Sequence, residues 1–370
     1  MRKSSLITVI AFSVLLGSLT LINFIAPQKE MSENENRYLK QFAKPTLKTV
    51  FDGSFERDFE SYMNDQMVCR DSFITLKQYT QRLLGSSELN GVYVGKDGYF
   101  IEAITKESAN WPQYEKNCRA ITEFLKESGL EKEHQSVMVV PTAGLVLKDK
   151  LPENAPMIDQ NVLLKEWKNR ALNGSFIDVR MPLANCEAPY YKTDHHWTTE
   201  GAYQAYIELC TQKNLSNQDA YEHHTVTTSF FGTLYSKALL PCKPDTITLY
   251  TNKNQEELCL TGDGEPISLY EKPALKTKSK YEVFLGGNYS EVQVKTKVKN
   301  GGKLLIIKDS FANSFLPFLT GEFEEISMLD LRYYQGSALE YIKEHKITDV
   351  LFLYGIKTLF DDTNLPKLGF

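Results

Sequence analysis

The sequence predicts an α/β fold: a mostly parallel sheet inside a three-layer α/β/α domain that also carries a β-rich insertion. Three observations point there. Residues 303–307, 326–331 and 349–354 are short and almost continuously apolar, the pattern of strands buried on both faces. Helical patterns at 311–319 and 337–345 separate them, as crossovers between parallel strands require. Between about 214 and 300, β-branched and aromatic runs (225–231, 246–250, 281–285, 292–298) alternate with Gly, Asn, Asp and Lys clusters, which reads as the insertion.

The chain opens differently. After Arg2 and Lys3, residues 4–26 carry no charge, and about 20 apolar residues suffice to cross a bilayer as a helix. The run exceeds the usual h-region of a secretory signal and ends without a small-x-small site. It predicts an uncleaved anchor over 1–27, with a cleaved signal as the alternative. Arg2 and Lys3 favour a cytoplasmic N-terminus, with the rest of the chain outside the membrane. Residues 28–85 form a polar tether punctuated by Pro27 and Pro45, then a helical segment. In that segment Phe55, Phe59, Tyr62 and Met63, and then Phe73, Leu76 and Tyr79, recur at helical spacing.

Residues 86–370 hold the α/β domain. A hairpin over 92–101 turns at Asp97-Gly98. A helix over 114–130, a strand over 136–140, a helix over 163–171 and a strand over 176–179 follow. Thr198 caps a helix that runs to about Gln212, its inner face formed by Ala202, Tyr203, Tyr206, Ile207 and Cys210.

Charge and cysteines bound the function. The net charge is −5, and removing Arg2 and Lys3 with the anchor leaves −7 (40 basic against 47 acidic residues). That excludes a generic basic surface for nucleic acid. The six cysteines form no C-x-x-C pair, so a thiolate zinc site is not indicated. An exported location permits disulfides; Cys242–Cys259 is the preferred pairing, with free buried thiols equally open.

One set of groups carries chemistry. In extended backbone Asp194 and His196 face the same side, so the carboxylate can hold an imidazole N–H and fix its tautomer. Ser310 sits where strand 303–307 gives way to a helix, and ligands of open α/β sheets bind beyond the carboxyl ends of the strands. N–H groups at that helix start can stabilise an oxyanion. Together these groups point to acyl transfer through an acyl-serine. An N-capping role for Asp309 or Ser310, and a structural Asp–His pair, are the plainer readings. The doublets His195-His196 and His223-His224 offer at most one metal ligand each per face, without H-E-x-x-H spacing, so no metal is expected.

The block Tyr191-Lys192-Thr193-Asp194-His195-His196-Trp197-Thr198-Thr199-Glu200-Gly201-Ala202, with Lys308-Asp309-Ser310-Phe311-Ala312-Asn313-Ser314, resembles the DHHW protein family. Supporting matches are Glu35-Asn36-Arg37, Asp52-Gly53-Ser54-Phe55, Gly95-Lys96-Asp97-Gly98-Tyr99, Gly286-Gly287-Asn288-Tyr289 and Asp330-Leu331-Arg332. That family is similar to the AlgX- and AlgJ-like polysaccharide O-acetyltransferases, whose domains are SGNH-hydrolase-like. The resemblance implies Ser310 as nucleophile, His196 as base and Asp194 as its orienter. The order is permuted, Asp-His before Ser. His195 stands where the acetyltransferases have threonine, which makes it a rival base. Asn288 and Tyr354 are candidates for the oxyanion site, and Arg332 and Trp197 for substrate contact. The implied activity is acetylation of hydroxyls on an exported polysaccharide or cell-wall glycan, without a bound cofactor. A polytopic membrane O-acyltransferase would supply the acyl group. An esterase with the same triad and a non-catalytic glycan-binding or scaffold protein are the alternatives.

Overall fold

A computed structural model describes residues 3–32, 37–171, 175–216 and 220–369. Arg2 of the expected anchor flank and Glu35 and Asn36 of the family match lie outside the described residues. Two compact units form: residues 1–86 with 239–241, and residues 87–238 with 242–370.

In the first unit, helix α1 (Lys3–Ile25) is long and apolar enough to cross a membrane. The expected helical segment is three helices: α2 (Leu47–Phe51), α3 (Ser54–Asp65) and α4 (Arg70–Leu83). Left-handed residues at Gly53 and Cys69 break the segment there.

The second unit opens with an antiparallel sheet of β1 (Glu88–Leu89), β2 (Val92–Val94) and β3 (Phe100–Glu102). Asp97 and Gly98 turn the hairpin with φ of 55° and 81°, the left-handed pair a type I′ turn needs. Next come α5 (Trp111–Glu127), β4 (Gln135–Val140), α6 (Gln160–Arg170) and a two-residue strand β5 (Ser175–Phe176). Helix α7 (Thr199–Lys213) starts at Thr198, whose side chain accepts from the Gly201 N–H. Then follow β6 (Glu222–Phe230), α8 (Thr233–Ala238), β7 (Asp245–Thr251), β8 (Cys259–Gly262), β9 (Glu265–Pro266), β10 (Glu291–Lys295), β11 (Lys303–Lys308), β12 (Glu325–Leu329), α9 (Ala338–His345) and β13 (Asp349–Gly355).

The main sheet runs β9-β8-β10-β12-β11-β13-β4-β5. From β12 to β5 it is parallel, and β8, β9 and β10 extend it antiparallel. Successive strand residues point to opposite faces. Met138, Leu304, Ile306, Leu351 and Leu353 therefore pack with Ala202, Tyr206 and Leu209 of α7, whereas Val137, Val139, Leu305, Ile307, Val350 and Phe352 pack with Ile121, Phe124, Leu163 and Ile342 from α5, α6 and α9. This is a three-layer α/β/α arrangement around a mostly parallel sheet, with Asp194 and His196 preceding Ser310 in the chain.

Four expectations need correction. The region 214–300 is not one insertion: β6 and β7 form their own two-stranded sheet, while β8–β10 belong to the main one. Residues 281–285 are not a strand; Lys280–Val283 is a 3-10 turn and Leu285 and Gly286 are left-handed, which ends extended pairing. Residues 311–319 are not one helix but a 3-10 turn Ser310–Asn313 and a short helix Leu316–Leu319. Pro317 sits in the first turn of the latter and has no N–H to continue a helix through that point. All six cysteines are free. Cys259 starts β8 in the main sheet and Cys242 precedes β7 in the small one, so the Cys242–Cys259 pairing does not form.

Candidate active site

The serine turn is built at the carboxyl end of β11. Asp309 caps it, Oδ1 accepting from the Phe311 N–H at 3.0 Å. Its Oδ2 accepts from the Gly355 N–H at 2.8 Å and the Thr358 hydroxyl at 2.7 Å. The turn is thereby tied to the end of β13. The Phe311 N–H is engaged by this cap, so the turn leaves it unavailable as an oxyanion donor. Ser310 itself is half-buried.

The Asp-His segment is bent, not extended as its spacing suggested. Tyr190 and Trp197 form an isolated antiparallel bridge, and the Tyr191 N–H donates to the His196 carbonyl at 3.3 Å. Buried Asp245 ties the bend down, accepting from the Lys192 and Thr193 N–H groups at 2.8 and 2.7 Å and from the Thr193 hydroxyl at 2.6 Å. Asp194 Oδ2 accepts from the Thr233 N–H at 2.7 Å and its hydroxyl at 3.1 Å. Gly232 makes this approach possible, because a Cβ there would lie 2.2 Å from Asp194 Cβ.

These two elements meet. His196 Nδ1 lies 2.5 Å from Asp194 Oδ1, and His196 Nε2 lies 2.7 Å from Ser310 Oγ. A proton on Nδ1 facing the carboxylate leaves the Nε2 lone pair directed at the serine hydroxyl. Asp194 is 2 % exposed. Burial alone would raise its pKa, but the His196 and His195 imidazoles and the Thr233 N–H hold the carboxyl well below the usual carboxylate range. Asp194 is therefore an anion at neutral pH.

His195 is placed differently. Its Nδ1 pairs with the Thr233 hydroxyl at 2.6 Å, and its ring lies over that of His196 at 3.8 Å between centroids. Burial, then the neighbouring His196, pushes its pKa down. It lies beside His196 with its Nδ1 turned to Thr233, not to the serine. Trp197 is wholly buried, its Nε1–H donating to the Phe311 carbonyl at 3.1 Å and to Ser314 Oγ at 2.9 Å. It supports the serine turn and has no surface for substrate. Tyr354 is buried in the core on the α5–α6 side of the sheet, not at the site. Asn288 sits in a polar cluster, its Oδ1 accepting from Lys308 Nζ at 3.4 Å and Asn313 Nδ2 at 3.2 Å. Arg332 is clamped in a bidentate pair with Asp330, at 2.8 and 2.5 Å.

Sequence reasoning missed Tyr281. Its ring stacks on His196 at 3.9 Å and 7°, and its hydroxyl donates to the Ser310 carbonyl at 3.2 Å and pairs with Ser314 Oγ at 3.0 Å. It holds the His196 ring and the Ser310 backbone together. Nothing local marks it, since the site residues it touches, Ser310 and His196, are 29 and 85 positions away. Thr233 and Asp245 were missed for the same reason.

A cavity of 470 Å³ opens beside the triad, lined among others by His195, Phe311, Arg332, Thr142, Lys237 and Asn364. Among the described residues, Asp194, His195 and His196 bring ligand atoms within 4.8 Å of one another. Both His196 nitrogens, His195 Nδ1 and both Asp194 oxygens are already engaged in the contacts above, so this donor set does not fit a metal without dismantling the triad.

A family model described as DHHW protein matches residues 120–329, a span that includes Asp194, His196 and Ser310. Among solved structures, a DHHW family protein from Eubacterium siraeum is 25% identical, covering 76% of this chain and 96% of that one at a TM-score of 0.63. Bacillus cereus PatB1 with a sulfonyl adduct is 22% identical, covering 74% and 96% at 0.61. The O-acetyltransferase domain of Pseudomonas putida AlgJ is 16% identical, covering 74% and 93% at 0.46. No curated protein matches the sequence.

Proposed function

The chain belongs to the DHHW protein family, and from that membership we propose that it is a membrane-anchored serine O-acyltransferase acting on an exported glycan. One observation carries the reading: His196 stands between Asp194 and Ser310 at 2.5 and 2.7 Å, so that a proton on Nδ1 leaves the Nε2 lone pair facing the hydroxyl. Side chains from two separate parts of the chain share this geometry, and neither an N-cap serine nor a structural Asp–His pair accounts for it.

In the proposed reaction Ser310 Oγ attacks the carbonyl carbon of an acetyl donor while His196 Nε2 takes its proton. The C–O bond to the donor breaks as the imidazolium returns that proton to the leaving oxygen, leaving acetyl-Ser310. A sugar hydroxyl then enters and attacks the acetyl carbon while His196 takes its proton; the bond from that carbon to Ser310 Oγ breaks, and the imidazolium returns the proton to Oγ, leaving acetylated sugar and free Ser310. Asp194 remains ionised throughout and stabilises the imidazolium. Asn288, held in its polar cluster, is the side-chain candidate for the oxyanion, and Arg332 and His195, which line the cavity, are candidates for substrate contact.

Helix α1 supports an anchor, with residues 28–85 as a tether and helical segment and 86–370 as the catalytic domain outside the membrane. The acyl donor would be presented by a polytopic membrane O-acyltransferase. Water in place of the sugar hydroxyl would make the same site an esterase.

The test is to incubate the purified full chain with p-nitrophenyl acetate, quench in acid and sequence peptides by mass spectrometry. One added acetyl group on the Ser310 peptide is expected, and an unmodified Ser310 during turnover overturns the reading. Adding glycan oligosaccharides then separates transfer from hydrolysis, as acetylated sugar or free acetate.

A further inference from the structure

Helix α4 is inside out for a helix in water. It buries Gln78 completely, while Phe73, Leu76 and Leu83, at three- and seven-residue spacing, face outward with the adjoining Leu84. Leu83 is 86% exposed and Leu84 83%. On α2, which packs on α3, Phe51 is 87% exposed. A helix surrounded by water turns such a stripe inward, and a contiguous exposed apolar surface marks a contact.

The first unit shows where this surface stands relative to the membrane helix. The Val68 N–H, in the elbow between α3 and α4, donates to Asn23 Oδ1 in the last turn of α1 at 2.7 Å. Just beyond α1, Gln28 Nε2 donates to the Tyr62 hydroxyl and the Lys29 N–H to Gln66 Oε1, both at 2.9 Å. The elbow is thus fastened to the point where α1 ends, and α4 departs from that level. Of its charges, Arg70 is paired with Asp65 and Asp71, which leaves Lys77 and Arg82 as the cations of the helix, and these suit anionic headgroups.

We propose that the outward face of α4, with Phe51 of α2, lies in the headgroup region of the bilayer that α1 crosses, so that the chain meets the membrane through a surface as well as a span. This rests on the anchored reading of α1. The occupant is lipid because the face begins at the end of a helix whose apolar window is itself unburied by protein.

The full chain, reconstituted into phosphatidylethanolamine–phosphatidylglycerol vesicles, tests this with Leu76→Trp and Leu83→Trp and with Lys343→Trp as a water-facing control. Each added indole is followed by difference from the parent, with and without bromine on the acyl chains. An interfacial face lies about 5–10 Å deep, so Leu76→Trp and Leu83→Trp should be quenched at least about twofold more than Lys343→Trp. Unquenched, red-shifted emission puts the face in water and overturns the proposal. Blue-shifted emission without quenching shows a protein covering the face, a second copy or another partner, and also overturns it. Flotation of the parent after alkaline carbonate checks the anchor separately: a parent that does not float refutes the anchored reading, whereas a floating parent with unquenched indoles refutes only the surface contact.

Discussion

His196 Nε2 lies 2.7 Å from Ser310 Oγ, while the adjacent His195 directs Nδ1 to Thr233 at 2.6 Å. Two histidines side by side in sequence thus take separate partners because the segment bends at Asp194. His196→Ala should lower kcat with p-nitrophenyl acetate at least about a thousandfold, as loss of a triad base does. His195→Ala should keep kcat within about tenfold and act mainly on KM, because His195 lines the cavity. Equal loss of kcat in both variants would show that the roles are not divided this way.

Asp194 should make stability depend on acid. Its folded carboxyl titrates below its ordinary value of 3.8, so folding binds fewer protons than unfolding there. The stabilisation is complete above that ordinary value and is lost as pH falls through the lower folded one. Asp194→Asn lacks it and leaves His196 without its counter-charge. The gap in urea midpoint between parent and Asp194→Asn should be constant from neutral pH to about pH 5 and close below about pH 4. A gap that widens on acidification would contradict the assignment. The same variant should lose about 10⁴ in kcat through the wrong tautomer.

Much of this fold was readable from the chain, and the parts that were not share a physical cause. Strands such as Lys303–Lys308 announce themselves because both faces are buried, and Thr198 and Asp97-Gly98 act on backbone only a few residues away. Asp194, His196 and Ser310 were legible as types and blocks, and their meeting could be expected only from the resemblance and from the place of Ser310 at a strand end, since it lies 114 positions from His196. The bend at 191–196 depends on Asp245, 52 positions from Thr193, and no local pattern reports that. Residues 281–285 read as a strand because Tyr, Val and Phe favour extended backbone, yet contacts with His196 and Ser314 fix Tyr281 in a 3-10 turn. Trp197 stood as a candidate for substrate contact and Tyr354 for the oxyanion site, and burial places both beneath the surface.

Gly232 is required by proximity. Its φ is not left-handed, but Asp194 Cβ and Oδ2 would lie 2.2 and 2.3 Å from an added Cβ. Both are pinned, Oδ2 by Thr233 and Oδ1 by His196, so the carboxylate has nowhere to retreat. Gly232→Ala should destabilise the fold by about 1–3 kcal/mol, the usual cost of overpacking, and lower kcat at temperatures where the variant is fully folded. Thermal unfolding and turnover at a low temperature measure the two effects separately. Unchanged kcat in the folded variant would mean that Asp194 can move without disturbing His196.

Tyr281 tests whether the imidazole is positioned by its face as well as by its nitrogens. Its ring is parallel to that of His196 at 3.9 Å, and its hydroxyl reaches the Ser310 carbonyl and Ser314 Oγ. Tyr281→Phe keeps the stack and loses the hydroxyl, leaving the Ser310 carbonyl without that donor; it should cost about 1 kcal/mol in stability, the worth of a typical hydrogen bond, and little in kcat. Tyr281→Ala removes the wall against which His196 rests and opens a space for ring rotation. It should lower kcat about a hundredfold with KM nearly unchanged, because misplacement of the base costs the reaction more than it costs binding. A purely structural role predicts that both variants lose kcat only in proportion to the fraction unfolded. Comparing single-turnover acylation rates with the folded fraction by circular dichroism separates the two: a folded Tyr281→Ala enzyme that acylates at the parental rate would leave the stack as packing alone.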